Sequence, residues 1–170
     1  KIGTKYDGGV VGSNISSDKL LPDDDGFELD HYGASHTPLI GNVGEGETYV
    51  CQAYYRRKQF EMFYDLNGGT CNDGSIKGYH SFEEVPYGLP LASVNFINQT
   101  TSGAVPLSMS GCEFGGWVYY KYAEVMAQGS YTGLTAYTAN TMPKEAMIAV
   151  AQWHIGANTP VRLEIYRQDR

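Results

Sequence analysis

Shifted by sixty-eight positions, two stretches of this chain align without a gap, with Pro38-Leu39 falling on Pro106-Leu107. Glu45 then meets Glu113, Tyr49 meets Trp117, Val50 meets Val118 and Tyr54 meets Tyr122. Further along, Phe63 meets Tyr131, Leu66 meets Leu134, Thr70 meets Thr138, Asn72 meets Asn140, and Gly88 meets Gly156. The window holds nine identities, against roughly three or four expected of random pairing at this composition. A duplication constrains the fold more than any single residue does. It predicts one pseudo-symmetric domain with two related edges or sites, a geometry commoner among binding modules than enzymes.

The chain has 170 residues, enough for one domain with a sizeable core and too few for two comfortable ones. Apolar content of 42% excludes wholesale disorder. With 21 glycines and 14 tyrosines against only 18% charged residues, the composition favours short strands joined by tight turns, with rigid rings left over for surfaces. A net charge of −7 argues against a nucleic-acid partner, which needs a basic patch. The densest basic run, Arg56-Arg57-Lys58, is soon followed by Glu61 and Asp65 and reads as a solvated strand end. No apolar run is long enough to span a bilayer.

The start at Lys1 reads as a processed mature form or an excised piece. Cys51 and Cys71 flank a compact stretch that a disulfide would close in a secreted protein, leaving Cys112 free. Three reduced cysteines in a cytosolic β-domain is the competing reading. The sequons Asn14-Ile-Ser16 and Asn98-Gln-Thr100 lean towards an extracellular or cell-surface location.

The fold class expected is all-β: a single domain over 1–170, forming a β-sandwich or barrel from two pseudo-repeats. Residues 1–33 carry turns and short strands, with Pro22-Asp23-Asp24-Asp25-Gly26 as a turn signal. The first repeat unit spans 34–90 and the second 103–166. Thr48–Tyr55 and Phe60–Tyr64 read as strands, followed by a hairpin turn at Asn67-Gly68-Gly69. In the second unit, Trp117–Tyr122 alternates as a half-buried strand should, and Gly129–Gly133 turns into a strand at Leu134–Thr138. Glu145–Trp153 has a helical composition but also suits a buried strand. The strand is favoured because its counterpart, Tyr79–Val85, looks extended. Val161–Tyr166 closes the chain with clean alternation.

Catalytic chemistry is poorly supplied. His31, His36, His80 and His154 are scattered, and the metal-ligating spacings HExxH and CxxC are missing. In Gly129-Ser-Tyr-Thr-Gly133 the serine is out of register for a nucleophile elbow. Glu83 and Glu84 point to opposite faces of a strand and cannot form a facing catalytic pair, although Glu83 with Glu164 stays open as one. The acidic run Asp23 to Asp25 with Asp30 lacks EF-hand spacing for calcium. The expectation is a protein without catalytic activity, cofactor or metal.

Binding chemistry is richer. A sugar presents an apolar C–H face and pairs of hydroxyls, so its reader needs an aromatic plate beside short planar polar groups. The first unit offers Tyr54, Tyr55, Asn72, Asp73, Lys77 and His80 near a Gly-rich turn. The second offers Trp117, Tyr119, Lys121, Asn140, Lys144 and Trp153. Each aromatic has an alternative role in the core or on a sheet face.

The stretches Thr37–Val50 with Lys77–Val85, and Gly103-Ala-Val-Pro-Leu107 with Gly115-Gly-Trp-Val-Tyr119, resemble the DM9 repeat, whose tandem proteins carry two units of about this length. The resemblance implies a mannose-type lectin. The acidic sugar contact of that family falls on Glu45 or Glu113, where it expects an aspartate. Its Pro-Gly-Lys-Val segment has no equivalent, Met142-Pro-Lys-Glu145 being nearest.

The reading reached is therefore a secreted or surface-displayed carbohydrate-binding module. Its ligand contacts are Glu45, Tyr54, Asn72, Asp73, Lys77, Glu113, Trp117, Tyr119 and Asn140, its partners are glycans, and a homo-oligomer would add avidity. The alternative is a protein-binding adhesin or assembly subunit, such as a pilus or phage-tail tip domain, pairing through a free strand edge such as Val161–Tyr166.

Overall fold

The computed structural model describes residues 26–32, 53–74 and 82–156. The chain forms two compact units, Lys1–Lys58 and Gln59–Arg170. Their boundary falls within the 34–90 stretch set out above as one repeat unit.

In the first unit, β1 (Phe27–Tyr32) pairs antiparallel with β2 (Ala53–Arg57). The register opposes Glu28 to Arg56, slips at Asp30, and then opposes His31 to Tyr54. Cross-strand chemistry follows from that register. Arg56 Nε donates to Glu28 Oε1 at 2.6 Å, and the His31 ring stacks on Tyr54 with centroids 4.6 Å apart.

The second unit is built on an open, mixed sheet of β3 (Gln59–Asp65), β5 (Phe82–Pro86), β7 (Cys112–Lys121) and β8 (Met147–Ile155), in the order β5-β3-β8-β7. Only β3 and β8 run parallel. A parallel pair cannot be joined by a tight turn, and the crossover carries α1 (Asn95–Thr101), a 3-10 turn at Leu91–Ser93 and α2 (Tyr122–Gln128). A separate small ribbon joins β4 (Thr70–Cys71) to β6 (Leu107–Ser108).

Side chains alternate across a strand, and here both faces are covered. Met62, Tyr64, Met147 and Ala149 face a core closed by Leu91, Val94, Phe96, Ile97 and Met142. Their neighbours Ile148 and Val150 pack with Val125 of α2 and with the rings of Phe63, Tyr120, Tyr122 and Tyr131. Strands buried on both faces read as continuous apolar runs, which is why Met147–Ala151 resembles a helix in composition yet forms β8.

Among the described residues the protein is therefore mostly β with two short α-helices, and the sheet does not close into a barrel. Positions aligned by the internal shift occupy different elements. Phe60–Tyr64 lies in β3, whereas positions 128–132 are the end of α2 and the turn after it. Leu134–Thr138 makes no strand, only an isolated bridge from Tyr137 to Tyr119. The Asn67-Gly68-Gly69 turn forms, but β4 beyond it pairs with β6 and not back onto β3. Cys51, Val161–Tyr166 and the acidic run before Gly26 lie outside the described residues.

Candidate functional site

The Leu66–Gly69 turn is closed by the Gly69 N–H donating to the Leu66 carbonyl at 2.9 Å. Both central residues have positive φ, 47° at Asn67 and 86° at Gly68, the requirement of a type I′ turn and the reason Asn-Gly suits it. Asp65 Oδ1 accepts the Asn67 backbone N–H at 2.7 Å. The turn is then pinned to β8. Asn67 Nδ2 donates to the Ala151 carbonyl at 3.1 Å, and Trp153 Nε1 donates to the Leu66 carbonyl at 2.9 Å. The Trp153 ring lies so close over Gly69 that a Cβ there would overlap it.

This anchored turn leads directly into β4, and the β4–β6 ribbon sets a row of polar side chains on the surface. Thr70 stands opposite Ser108, with their hydroxyl oxygens 2.9 Å apart. Ser108 Oγ in turn donates to Asn72 Oδ1 at 3.0 Å. Asn72 and Asp73 are the central residues of a second tight turn, closed by Gly74 N–H to the Cys71 carbonyl at 3.1 Å. Thr70, Asn72, Asp73 and Ser108 are all exposed. The half-buried Trp153 packs over Gly69, so its indole lies over the residue that precedes Thr70 in the chain, and a Cβ at Gly68 would come into contact with Met109, the residue after Ser108.

Of the residues expected to contact ligand, the structure brings together Asn72 and Asp73. Trp117 is a core ring and not a surface plate. It meets Tyr64 and Phe114 edge-on at centroid distances of 5.5 and 5.4 Å, and its Nε1 donates to Thr100 Oγ1 at 3.1 Å. Its position on β7 points it at α1, so its size serves packing. Tyr119 also packs on this core, and burial raises its phenol pKa. Glu113 is exposed opposite His154, on the face of the β7–β8 ribbon away from Trp153. Asn140 is exposed, and its carbonyl accepts the Leu91 N–H at 2.8 Å. Tyr54 belongs to the first unit, in its stack with His31. Glu45, Lys77 and His80 lie outside the described residues.

Sequence reasoning missed Thr70 and Ser108, each on a two-residue strand too short for any periodicity to show. The remaining second-unit candidates also separate. Lys121 pairs with Glu145 at 2.9 Å, Lys144 sits 5.2 Å from the centre of the Tyr87 ring, and Trp153 lies over Gly69. Glu83 serves as an acceptor for the Tyr64 hydroxyl and the Phe96 N–H, and Glu84 points outwards. Cys71 and Cys112 are both partly buried thiols outside any disulfide, so the Cys51–Cys71 bridge expected from the sequence is not formed; Cys71 Sγ instead donates to Asp73 Oδ1 at 2.9 Å. Among the described residues, no three His, Cys, Asp or Glu side chains gather as a metal site.

No protein-family model matches the chain, and no curated protein or solved structure is significantly similar to it.

Proposed function

We propose that the protein is a non-catalytic carbohydrate-binding module whose contact surface is the Asn72–Asp73 turn, the Thr70–Ser108 pair and the Trp153 ring beside them. The observation that carries this reading is the hydrogen-bonded polar row on the surface, with a half-buried indole lying over Gly69, the residue before Thr70. An indole offers an apolar face for sugar C–H groups, and short amide, carboxylate and hydroxyl groups match sugar hydroxyls. Because the row is held by two pinned turns, little order has to be gained on binding. Single sites of this size bind weakly, so display of several copies, at a cell surface or in a homo-oligomer, is part of the proposal. The resemblance to DM9 repeats adds a mannose-type glycan as the first class to try.

A glycan array with the wild type and an Asn72→Ala/Asp73→Ala double variant tests this. Signal lost in the double variant supports the site, and undiminished signal places the contact elsewhere. A blank array for the wild type rejects the glycan reading.

One observation favours the assembly-subunit reading. Strand β3 pairs with β8 only as far as Asp65↔Val150, and the β7–β8 ribbon runs on to Ile155, which is 73% exposed. An apolar residue on a projecting strand end suits pairing with another chain. Sedimentation of the wild type beside Ile155→Lys measures this, since only an assembly through the ribbon end dissociates in the variant.

A further inference from the structure

We infer that Asn67-Gly68 is a latent deamidation site, held unreactive by its tie to β8. Once that tie opens, Asn67 converts to an aspartyl or isoaspartyl residue, which cannot remake it. The chemistry is independent of glycan binding.

Among the chain's asparagines only Asn67 precedes a glycine. Each of the others is followed by a residue whose side chain crowds the backbone nitrogen, and the reaction needs that nitrogen. Gly68 N gives up its proton to hydroxide and attacks Asn67 Cγ. The new N–Cγ bond closes a succinimide ring as the Cγ–Nδ2 bond breaks, and Nδ2 takes a proton from water and leaves as ammonia. Water then opens the ring at either carbonyl. One opening leaves an aspartyl residue, the other an isoaspartyl residue whose main chain runs through Cβ and Cγ. Asn67 and Gly68 are both exposed, so water has access to each step.

The folded turn opposes ring closure at both reacting groups. Asn67 Nδ2, the leaving group, donates to the Ala151 carbonyl at 3.1 Å, which holds the side chain towards β8. The backbone is fixed as well. Asn67 has a φ of 47°, Asp65 Oδ1 holds its N–H at 2.7 Å, and Gly69 N–H closes the turn on the Leu66 carbonyl at 2.9 Å. A type I′ turn sets ψ of its first central residue at about +30°, which turns the Gly68 nitrogen away from Asn67 Cγ. Bringing the two together requires rotation about that ψ, and the rotation breaks the turn. Trp153 Nε1, donating to the Leu66 carbonyl at 2.9 Å, adds to the hold.

Neither product restores the tie. An aspartyl carboxylate is acceptor-only and meets the Ala151 carbonyl, another acceptor, so the donor that joins the turn to β8 is gone. An isoaspartyl residue lengthens the main chain by a backbone carbon, which the tight turn cannot absorb. The turn leads directly into β4, so the β4–β6 ribbon loses its anchor on β8. An opening of the turn is thereby recorded covalently in the chain.

The test follows deamidation at Asn67 by peptide mass spectrometry, with the intact chain incubated at mildly alkaline pH either folded or unfolded in urea. Opening loses the hydrogen bond from Asn67 Nδ2 and the one across the turn, which sets the expected protection of the folded chain at about tenfold to a hundredfold. Trp153→Phe keeps an aromatic ring but removes the hydrogen bond to Leu66, and its folded form is expected to react about threefold to tenfold faster than the folded wild type. Asn67→Asp carries the product's carboxylate at a left-handed position that aspartate tolerates, and it is expected to melt below the wild type. Folded wild type reacting at Asn67 as fast as the unfolded chain overturns the inference. So does a Trp153→Phe variant that reacts no faster, or an Asn67→Asp variant that melts with the wild type.

Discussion

The buried Tyr64 hydroxyl donates to the Glu83 carboxylate, and the same carboxylate accepts the Phe96 backbone N–H at 3.2 Å. Helix α1 begins at Asn95 with Val94 as its cap residue and no side-chain cap of its own. Helix starts leave N–H groups without partners, and Glu83 reaches over from β5 to supply one. A single carboxylate thus ties the central strand β3 to the helix that closes the main core. Glu83→Ala strands both the phenol and the amide, and about 1–3 kcal/mol of stability is expected to be lost. Glu83→Gln keeps an acceptor and loses less. Urea denaturation of the two variants measures the difference, and equal losses would contradict the shared-acceptor account.

The Tyr64 phenol has its pKa raised far above the ordinary 10.0, first by burial and then by the hydrogen bond and negative charge of Glu83. The neutral phenol is the form the folded state favours. Its contribution is fully present below the unfolded value near 10.0 and is lost progressively as pH rises above it. Wild-type stability is expected to fall steeply above that pH, and Tyr64→Phe, having no proton to lose there, to fall less steeply. Denaturant midpoints collected from neutral to strongly alkaline pH give the comparison.

Trp117 distinguishes a core ring from a sugar plate. Its contacts with Tyr64, Phe96 and Phe114 and its hydrogen bond to Thr100 are all internal. Trp117→Ala is expected to destabilise by about 3 kcal/mol, the lower end for a large aromatic because the ring is only half-buried. Glycan affinity of the fraction that stays folded is expected to be unchanged. A variant of undiminished stability that had lost binding would reverse that assignment.

At Gly69 the prediction is steric. A Cβ there would collide with the Trp153 ring, so Gly69→Ala is expected to cost about 1–3 kcal/mol through overpacking and to displace the indole from the polar row. Adding Trp153→Ala removes the clash, so the double variant is expected to be more stable than the sum of the two single losses. A double-mutant cycle measured by thermal unfolding reads this coupling.

What was legible in the sequence was governed by local physics. The aromatic and β-branched run of Trp117–Lys121 became part of β7, Phe60–Tyr64 became β3, and Asn67-Gly68 made its turn because only positive φ closes it. Helix α1 was invisible because Asn95-Phe-Ile-Asn-Gln-Thr-Thr101 is poor in helix formers. Its stability comes from Glu83, a residue on another element, and from Phe96 and Ile97 burying in the core. Tyr122 continued the strand pattern yet opens α2, where its ring stacks on Phe63. Among the described residues, identities at the constant shift fall on unlike elements, Tyr54 on β2 against Tyr122 on α2 and Thr70 on β4 against Thr138 in a loop. In the candidate site, Asn72, Asp73 and Trp153 stood out by chemical type. Their union with Thr70 and Ser108 depends on β4 pairing with β6 through Thr70↔Ser108 and Cys71↔Leu107, a long-range pairing that no local pattern encodes.

The central claim is the location of the ligand surface, and a 15N–1H correlation spectrum titrated with a glycan selected on the array tests it most directly. The account predicts that shifts concentrate at the Asn72 side-chain amide, the Asp73 and Ser108 backbone amides and the Trp153 indole N–H. Shifts confined to other residues, such as those around Tyr87 and Lys144, with these four signals unmoved, would contradict it.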